Sequence, residues 1–225
     1  MSDASIQRQP IEALLFDVFG TVVDWRGSLV AWFERFGLDR GCKADWPELV
    51  DDWRAAYQPA LEPIRRGVRP FVTLDVLHRE SLDALLPKFA LEDVSNADRQ
   101  RMVRAWHALE PWPDAVPGLA RLKCRFVVAS LSNGGVRLQI ELSKHAGLPW
   151  DAIFSADHFR QYKPEGATYL GAVELLGCST TAVIMVAAHP SDLAAARTYG
   201  LRTALVARPL EYGPRKMPHA EPAVA

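Results

Sequence analysis

Four short stretches of this chain hold the residue types that do chemistry. Asp17 and Thr21 stand in FDVFGT, and Ser132 and Asn133 in SLSNGG. Lys163 precedes Pro164 with Tyr169 six residues on, and His189 and Asp192 share VAAHPSDLAAAR. Two carboxylates, an ammonium, an imidazole and several hydroxyl or amide donors suit acid–base or nucleophilic work on a small anion. Ser132 and Asn133 sit before Gly134-Gly135 and the start of a helical pattern, where backbone N–H groups and the helix dipole favour negative charge. Any one of these residues also reads as a helix cap or turn former. Their shared position is harder to dismiss, because three stretches directly follow short apolar runs and Lys163-Pro164 lies in the irregular segment after another.

Those runs are the elements that must position the chemistry. Ile11–Phe16, Phe126–Ser130, Ala152–Ser155, Ala182–Ala188 and Arg202–Val206 are short, apolar and without alternation, as strands buried on both faces of a parallel sheet are. Helical patterns over Val136–Ala146, Glu165–Leu176 and Asp192–Tyr199 lie between the later runs, with Gly147, Gly177 and Gly200 at the expected C-caps. This alternation predicts an α/β fold with a doubly wound, Rossmann-like parallel sheet. In such sheets ligands bind beyond the carboxyl ends of the strands, which is where the four stretches fall. Residues 25–107 have a different texture, with helix-period segments and no β-like run, and are expected to form an inserted helical cap. The core is then 8–24 and 108–208, and 209–225, proline-rich and poor in aliphatics, is expected to be a loosely ordered extension.

Composition narrows the functions. Of 225 residues 49% are hydrophobic and 24% charged, a globular balance that argues against disorder. With 26 basic and 27 acidic residues the formal charge is −1, so neither nucleic acid nor an anionic membrane is an expected partner. Cys42, Cys124 and Cys178 are widely spaced, which points to a reducing compartment rather than a disulfide framework. The first residues, MSDASIQRQP, lack an apolar signal core, and no apolar run approaches the roughly 18 residues of a membrane span, so a cytoplasmic location is expected.

FDVFGTVVDWRGSL, SLSNGG, Lys163-Pro164 with Tyr169, and VAAHPSDLAAAR together resemble the haloacid dehalogenase superfamily, and within it the type II (S)-2-haloacid dehalogenases. The resemblance covers nearly the whole chain. It implies a metal-independent hydrolase without a cofactor that converts (S)-2-haloacids or haloacetates to 2-hydroxy acids and releases halide. In phosphatases of the superfamily a second carboxylate follows the nucleophile two residues on. Here that position is Phe19, which weakens the case for magnesium and a phosphoester. A magnesium-dependent phosphatase is the second reading, and a non-catalytic binding protein of the same fold the third. Relatives are commonly dimers, so the resemblance also implies a homodimer.

The same resemblance assigns roles. Asp17 attacks the halogen-bearing carbon, and water then hydrolyses the ester at the Asp17 carboxyl. Lys163 and Thr21 keep Asp17 ionised, and Asp192 balances Lys163. Ser132 and Asn133 receive the substrate carboxylate, with the Asn133 amide within reach of the halide. Arg54, in DDWRAAYQ, matches the cap arginine that cradles the halide, although a surface pairing with Asp51 or Asp52 is open to it. Phe19 and Phe71 are expected as apolar walls and Tyr169 as a further binding residue. The fourth loop departs from the family pattern, which has Ser-Ser-Asn and a Trp just before the final Asp. This chain has Ala187-Ala188-His189, and Ser191 before Asp192. His189 is expected to position or deprotonate the hydrolytic water, or instead to meet the halide or cap a helix. His78, His107, His145, His158 and His219 lack metal-ligand spacing.

Overall fold

The computed structural model describes residues 9–214. Strand β1 (Ala13–Phe16) leads to the short β2 (Val23–Asp24). Five helices follow: α1 (Trp25–Arg40), α2 (Trp46–Ala55), α3 (Tyr57–Arg65), α4 (Leu74–Leu85) and α5 (Asn96–Arg104), before β3 (Glu110–Pro111). Strands and helices then alternate through α6 (Ala115–Lys123), β4 (Val127–Ser132), α7 (Val136–Ala146), β5 (Ala152–Ser155) and the one-turn α8 (Ala156–Phe159). Last among the described elements come α9 (Gly166–Leu175), β6 (Val183–Ala187), α10 (Pro190–Thr198) and β7 (Arg202–Leu205).

Five strands form one sheet in the order β5-β4-β1-β6-β7, and every pairing in it is parallel. Central β1 is buried along its whole length because both faces are covered. Leu14 and Phe16 pack on one side with Leu119 and Leu138 of α6 and α7. Ala13 and Leu15 pack on the other with Tyr169, Leu193 and Ala196 of α9 and α10. That two-sided burial is why the strands show continuous apolar runs instead of alternation. Gly147, Gly177 and Gly200 all take left-handed φ values at the helix ends, as predicted.

Helices α1 and α2 and the turn after α5 pack through aromatic rings, with Trp53 at 6.0 Å from Phe33 and 5.6 Å from Trp106. Side chains at the helix starts cap α1 and α2, where Asp24 accepts from the Gly27 N–H at 2.9 Å and Asp45 from that of Glu48 at 2.9 Å. A feature absent from the sequence reading joins these helices to the sheet. Strands β2 and β3 pair antiparallel, Val23 opposite Pro111, so the segment leaving the core and the one returning to it are tied side by side. Trp112 reinforces the tie by donating from its indole to the Gly20 carbonyl at 2.9 Å.

Candidate active site

Register places the chemistry. Phe16 of β1 lies level with Ser130 of β4 and Val186 of β6, so Asp17, Ser132 and the loop after Ala187 emerge together at the carboxyl edge. They line a cavity of about 750 Å³ that lies between the sheet edge and helices α2–α4.

Asp17 is buried, and both of its oxygens are engaged. Oδ1 accepts from the Lys163 ammonium at 2.9 Å. Oδ2 accepts from the Thr21 hydroxyl at 2.7 Å and faces His189 Nδ1 at 3.1 Å. Thr21 Oγ1 in turn accepts from the Ala188 N–H at 2.8 Å, which directs its proton to Asp17. Burial alone would raise the carboxyl pKa, but Lys163 and His189 outweigh it and hold Asp17 far below the ordinary range. Lys163 Nζ reaches Asp192 Oδ2 as well, at 2.6 Å, and these two carboxylates keep the buried ammonium charged against the cost of desolvation. Its loop is held at the backbone: the Lys163 N–H donates to Asn133 Oδ1 at 2.7 Å, and its carbonyl accepts from Arg65 of α3 at 2.5 Å.

The rim around Ser132 is locked by a buried side chain. Gln139 of α7 donates to the carbonyls of Gly134 and Phe154 at 2.9 and 3.0 Å and accepts from Ser130 at 2.6 Å. Gly134 packs closely there, where a Cβ would stand 3.0 Å from the Phe19 ring. Ser132 Oγ accepts from the Gly134 N–H at 3.0 Å, which leaves its own proton to give to a partner in the cavity. The Val136 N–H at the start of α7 is taken by Asp157 at 2.8 Å.

Several expected assignments change. Phe71 does not line the cavity; its ring lies 5.1 Å from Tyr162, with the Arg160 guanidinium 4.6 Å over it. Tyr169 faces the cavity, but its hydroxyl is spent on Asp192 Oδ1 at 2.5 Å and so positions a carboxylate rather than substrate. The Asn133 amide nitrogen donates to the Tyr57 hydroxyl at 2.7 Å, bridging the sheet edge to α3. Asp51 and Asp52 take Arg26 and Lys88 as ion-pair partners. Arg54 instead lies over the rings of Tyr57 at 4.6 Å and Trp25 at 5.5 Å, on the cavity wall. Phe19 is on the same wall, edge-on to Trp106 at 5.7 Å.

His189 differs most from expectation. Burial would lower its pKa, yet the carboxylates of Asp17 and Glu211 raise it to about 10, so at neutral pH it is an imidazolium with no lone pair to accept a proton. The water-deprotonating role assigned from sequence therefore does not hold for the resting site. Its second partner went unseen in the sequence. Glu211 is buried and accepts from Trp25 at 3.0 Å, and its Oε1 lies 2.9 Å from His189 Nε2. It belongs to the segment expected to be loose; residues 209–214 instead bring Glu211 into the site, and 215–225 lie outside the described residues. Tyr57, Trp25, Trp106 and His78 on the cavity wall were also missed. Arg54 and Tyr57, three residues apart at a helix junction, carried the one available signal, a shared face. His78 stacks on Trp106 at 4.4 Å, and burial pushes its pKa down to about 3, so it is neutral.

The donor set does not suit a resident divalent cation. Among the described residues no three His, Cys, Asp or Glu side chains are arranged to hold a metal ion, and Phe19 stands where a second carboxylate would be needed.

Comparison with known proteins fits this geometry. Residues 11–200 match the family model described as haloacid dehalogenase-like hydrolase. An (S)-2-haloacid dehalogenase of Xanthobacter autotrophicus is 32% identical over 204 residues, covering 88% of this chain and 76% of that protein. The crystal structure of an L-2-haloacid dehalogenase is 47% identical with a TM-score of 0.90, covering 92% of this chain and 89% of the other. A further L-2-haloacid dehalogenase structure from Xanthobacter autotrophicus, with chloropropionic acid covalently bound, is 28% identical with a TM-score of 0.77. It spans 88% of this chain and 78% of that one.

Proposed function

The chain belongs to the haloacid dehalogenase-like hydrolases, and on that premise we propose that it hydrolyses (S)-2-haloacids to 2-hydroxy acids through an ester on Asp17. The observation that carries this reading is a buried carboxylate held by a lysine, a hydroxyl and an imidazole in the lining of a cavity with an aromatic wall. Such a group is a nucleophile already in place. It attacks the halogen-bearing carbon opposite the halide, the carbon–halogen bond breaks with its electron pair leaving on the halide, and the carbon inverts. (S)-2-chloropropionate therefore gives (R)-lactate.

Ser132 and Asn133 receive the substrate carboxylate, and Arg54 draws off the departing halide. Phe19 and Trp106 keep the reacting carbon out of bulk water. In the second step water attacks the Asp17 carboxyl carbon, passing its proton to Asp192. Collapse returns the Asp17 carboxyl group and expels the hydroxy acid, so one proton and one halide are released per turnover. Ser191 lines the cavity at the position where well-known members carry Trp.

The full organisation follows the family. Residues 25–107 act as the cap over a core of 8–24 and 108–208, the active species is a homodimer, and the setting is the cytoplasm, which suits three cysteines that are all unpaired. No helix among the described residues is long and apolar enough to cross a membrane. The deciding assay offers (S)-2-chloropropionate and chloroacetate with a chelator, beside p-nitrophenyl phosphate with magnesium. Chloride release that survives chelation and disappears in Asp17→Asn supports the dehalogenase. Magnesium-dependent phosphate release would establish the phosphatase instead.

A further inference from the structure

The two oxygens of Asp17 are not equivalent, and the difference traces to a residue outside the expected machinery. Oδ1 meets one donor, Lys163. Oδ2 meets two, the Thr21 hydroxyl and His189 Nδ1. The histidine is held on its far side by Glu211, whose Oε1 also accepts from Trp25. The fit around that carboxylate is tight: Gly20 has φ +82°, and a Cβ there would stand 2.2 Å from Glu211 Oε1. Glycine at position 20 is what lets the carboxylate approach the loop behind Asp17.

We infer that Glu211 is a positioning residue that fixes His189 as an N–H donor to Asp17 Oδ2, making that oxygen the place where negative charge collects during ester hydrolysis and leaving Oδ1 to attack the haloacid. This rests on the ester reading above. When Oδ1 forms the bond to carbon, Oδ2 becomes the ester carbonyl oxygen, already facing two donors. Water then attacks the carboxyl carbon, its proton goes to Asp192, and the carbonyl π pair moves onto Oδ2, between the Thr21 O–H and the His189 N–H. The pair returns as the bond to the hydroxy-acid oxygen breaks, that oxygen takes the proton from Asp192, and the Asp17 carboxyl proton leaves to solvent. Preorganised donors aimed at a developing oxyanion are each worth roughly 10²–10³ in rate. His189 is thus a catalytic residue of the second step, acting as an electrophile and not as a base.

Single-turnover quench-flow with enzyme in excess over (S)-2-chloropropionate separates the steps, with chloride reporting the first and lactate the second. In His189→Asn and Glu211→Gln both steps are expected to slow, with lactate formation falling at least roughly tenfold further than chloride release, and the ester adduct accumulates on the chain. The pH dependence of lactate formation in Glu211→Gln distinguishes a donor from a base. Without the Glu211 charge the imidazolium loses its proton at lower pH than in wild type, so a donor role makes the rate of lactate formation fall at lower pH in the variant than in wild type. A rate that rises with pH would identify His189 as a base and overturn the inference, as would equal losses in chloride and lactate or no loss in either. Absence of chloride release from the wild-type chain would remove the ester reading itself, a separate failure. Nitrogen NMR of His189 in the wild-type chain needs no variant to fold: a protonated Nδ1 at pH 8 supports the assignment, and an unprotonated Nδ1 contradicts it.

Discussion

The cavity has two walls of opposite character. The wall at the sheet edge is a lattice of charges in which Asp17, Lys163, Asp192, His189 and Glu211 each meet a partner at 2.6–3.1 Å. The wall formed by the helices is aromatic, with Trp25, Tyr57 and Trp106, and its main charge, Arg54, is spread over rings. In the mechanism we propose, one wall keeps the nucleophile ionised and handles protons and oxyanions. The other excludes water and presents a weakly hydrated cation to a soft, departing halide. Substitutions in the first should therefore change the steps of bond making and hydrolysis, and substitutions in the second should change leaving-group preference and affinity.

The largest contrast is expected from Asp17→Asn, which removes the nucleophile and should lower kcat by roughly 10⁴-fold or more, measured as chloride release, with the far-UV spectrum unchanged. Lys163→Met follows. It leaves Asp17 and Asp192 buried without their shared cation, so we expect a loss of about 3–5 kcal/mol in chemical denaturation and at least roughly 10²-fold in kcat. Arg54→Gln should cost about 10- to 100-fold in kcat/KM, with the loss differing between chloro and bromo substrates; an equal loss for both would place Arg54 outside the halide path. The smallest effect is expected from Phe71→Leu, which sits behind the cavity against Tyr162 and should leave kinetics unchanged while costing about 1 kcal/mol of stability.

The charged wall also sets a pH signature that the aromatic wall lacks. His189 has a folded pKa of about 10, above its ordinary value of 6.5, so its contribution to stability is complete below about pH 6.5 and is lost as pH rises through 10. Asp17 is held below its ordinary 3.8, so its contribution is present above that value and is lost only on strong acidification. Thermal melts of wild type should fall as pH rises from about 6.5 to 10, and this limb should flatten in His189→Asn.

The two walls were also unequally legible. The sheet-edge residues follow apolar strands in sequence, and parallel pairing carries Asp17, Ser132, Lys163 and Asp192 to one edge whatever the details of packing. The helical wall depends on how long amphipathic segments cross, which local periodicity does not encode. Phe71 was accordingly expected in the cavity, while Trp25, Tyr57 and Trp106 were passed over. Glu211 was illegible for another reason. It lies in a proline-rich segment after the last strand, without periodicity, and its importance comes from contacts to Trp25 and His189, far away in sequence. His189 itself was visible, but its protonation state depends on having two carboxylates instead of one, so its role could not be read before Glu211 was placed.

The ester on Asp17 is the claim on which the division between the walls depends. A single turnover of (S)-2-chloropropionate with enzyme in excess in ¹⁸O-enriched water, followed by mass spectrometry of both the lactate and the peptide containing Asp17, tests it most directly. The account predicts label in one Asp17 carboxyl oxygen and none in the lactate hydroxyl. Label in the lactate hydroxyl with Asp17 unlabelled would mean that water attacks the substrate carbon directly, and would contradict it.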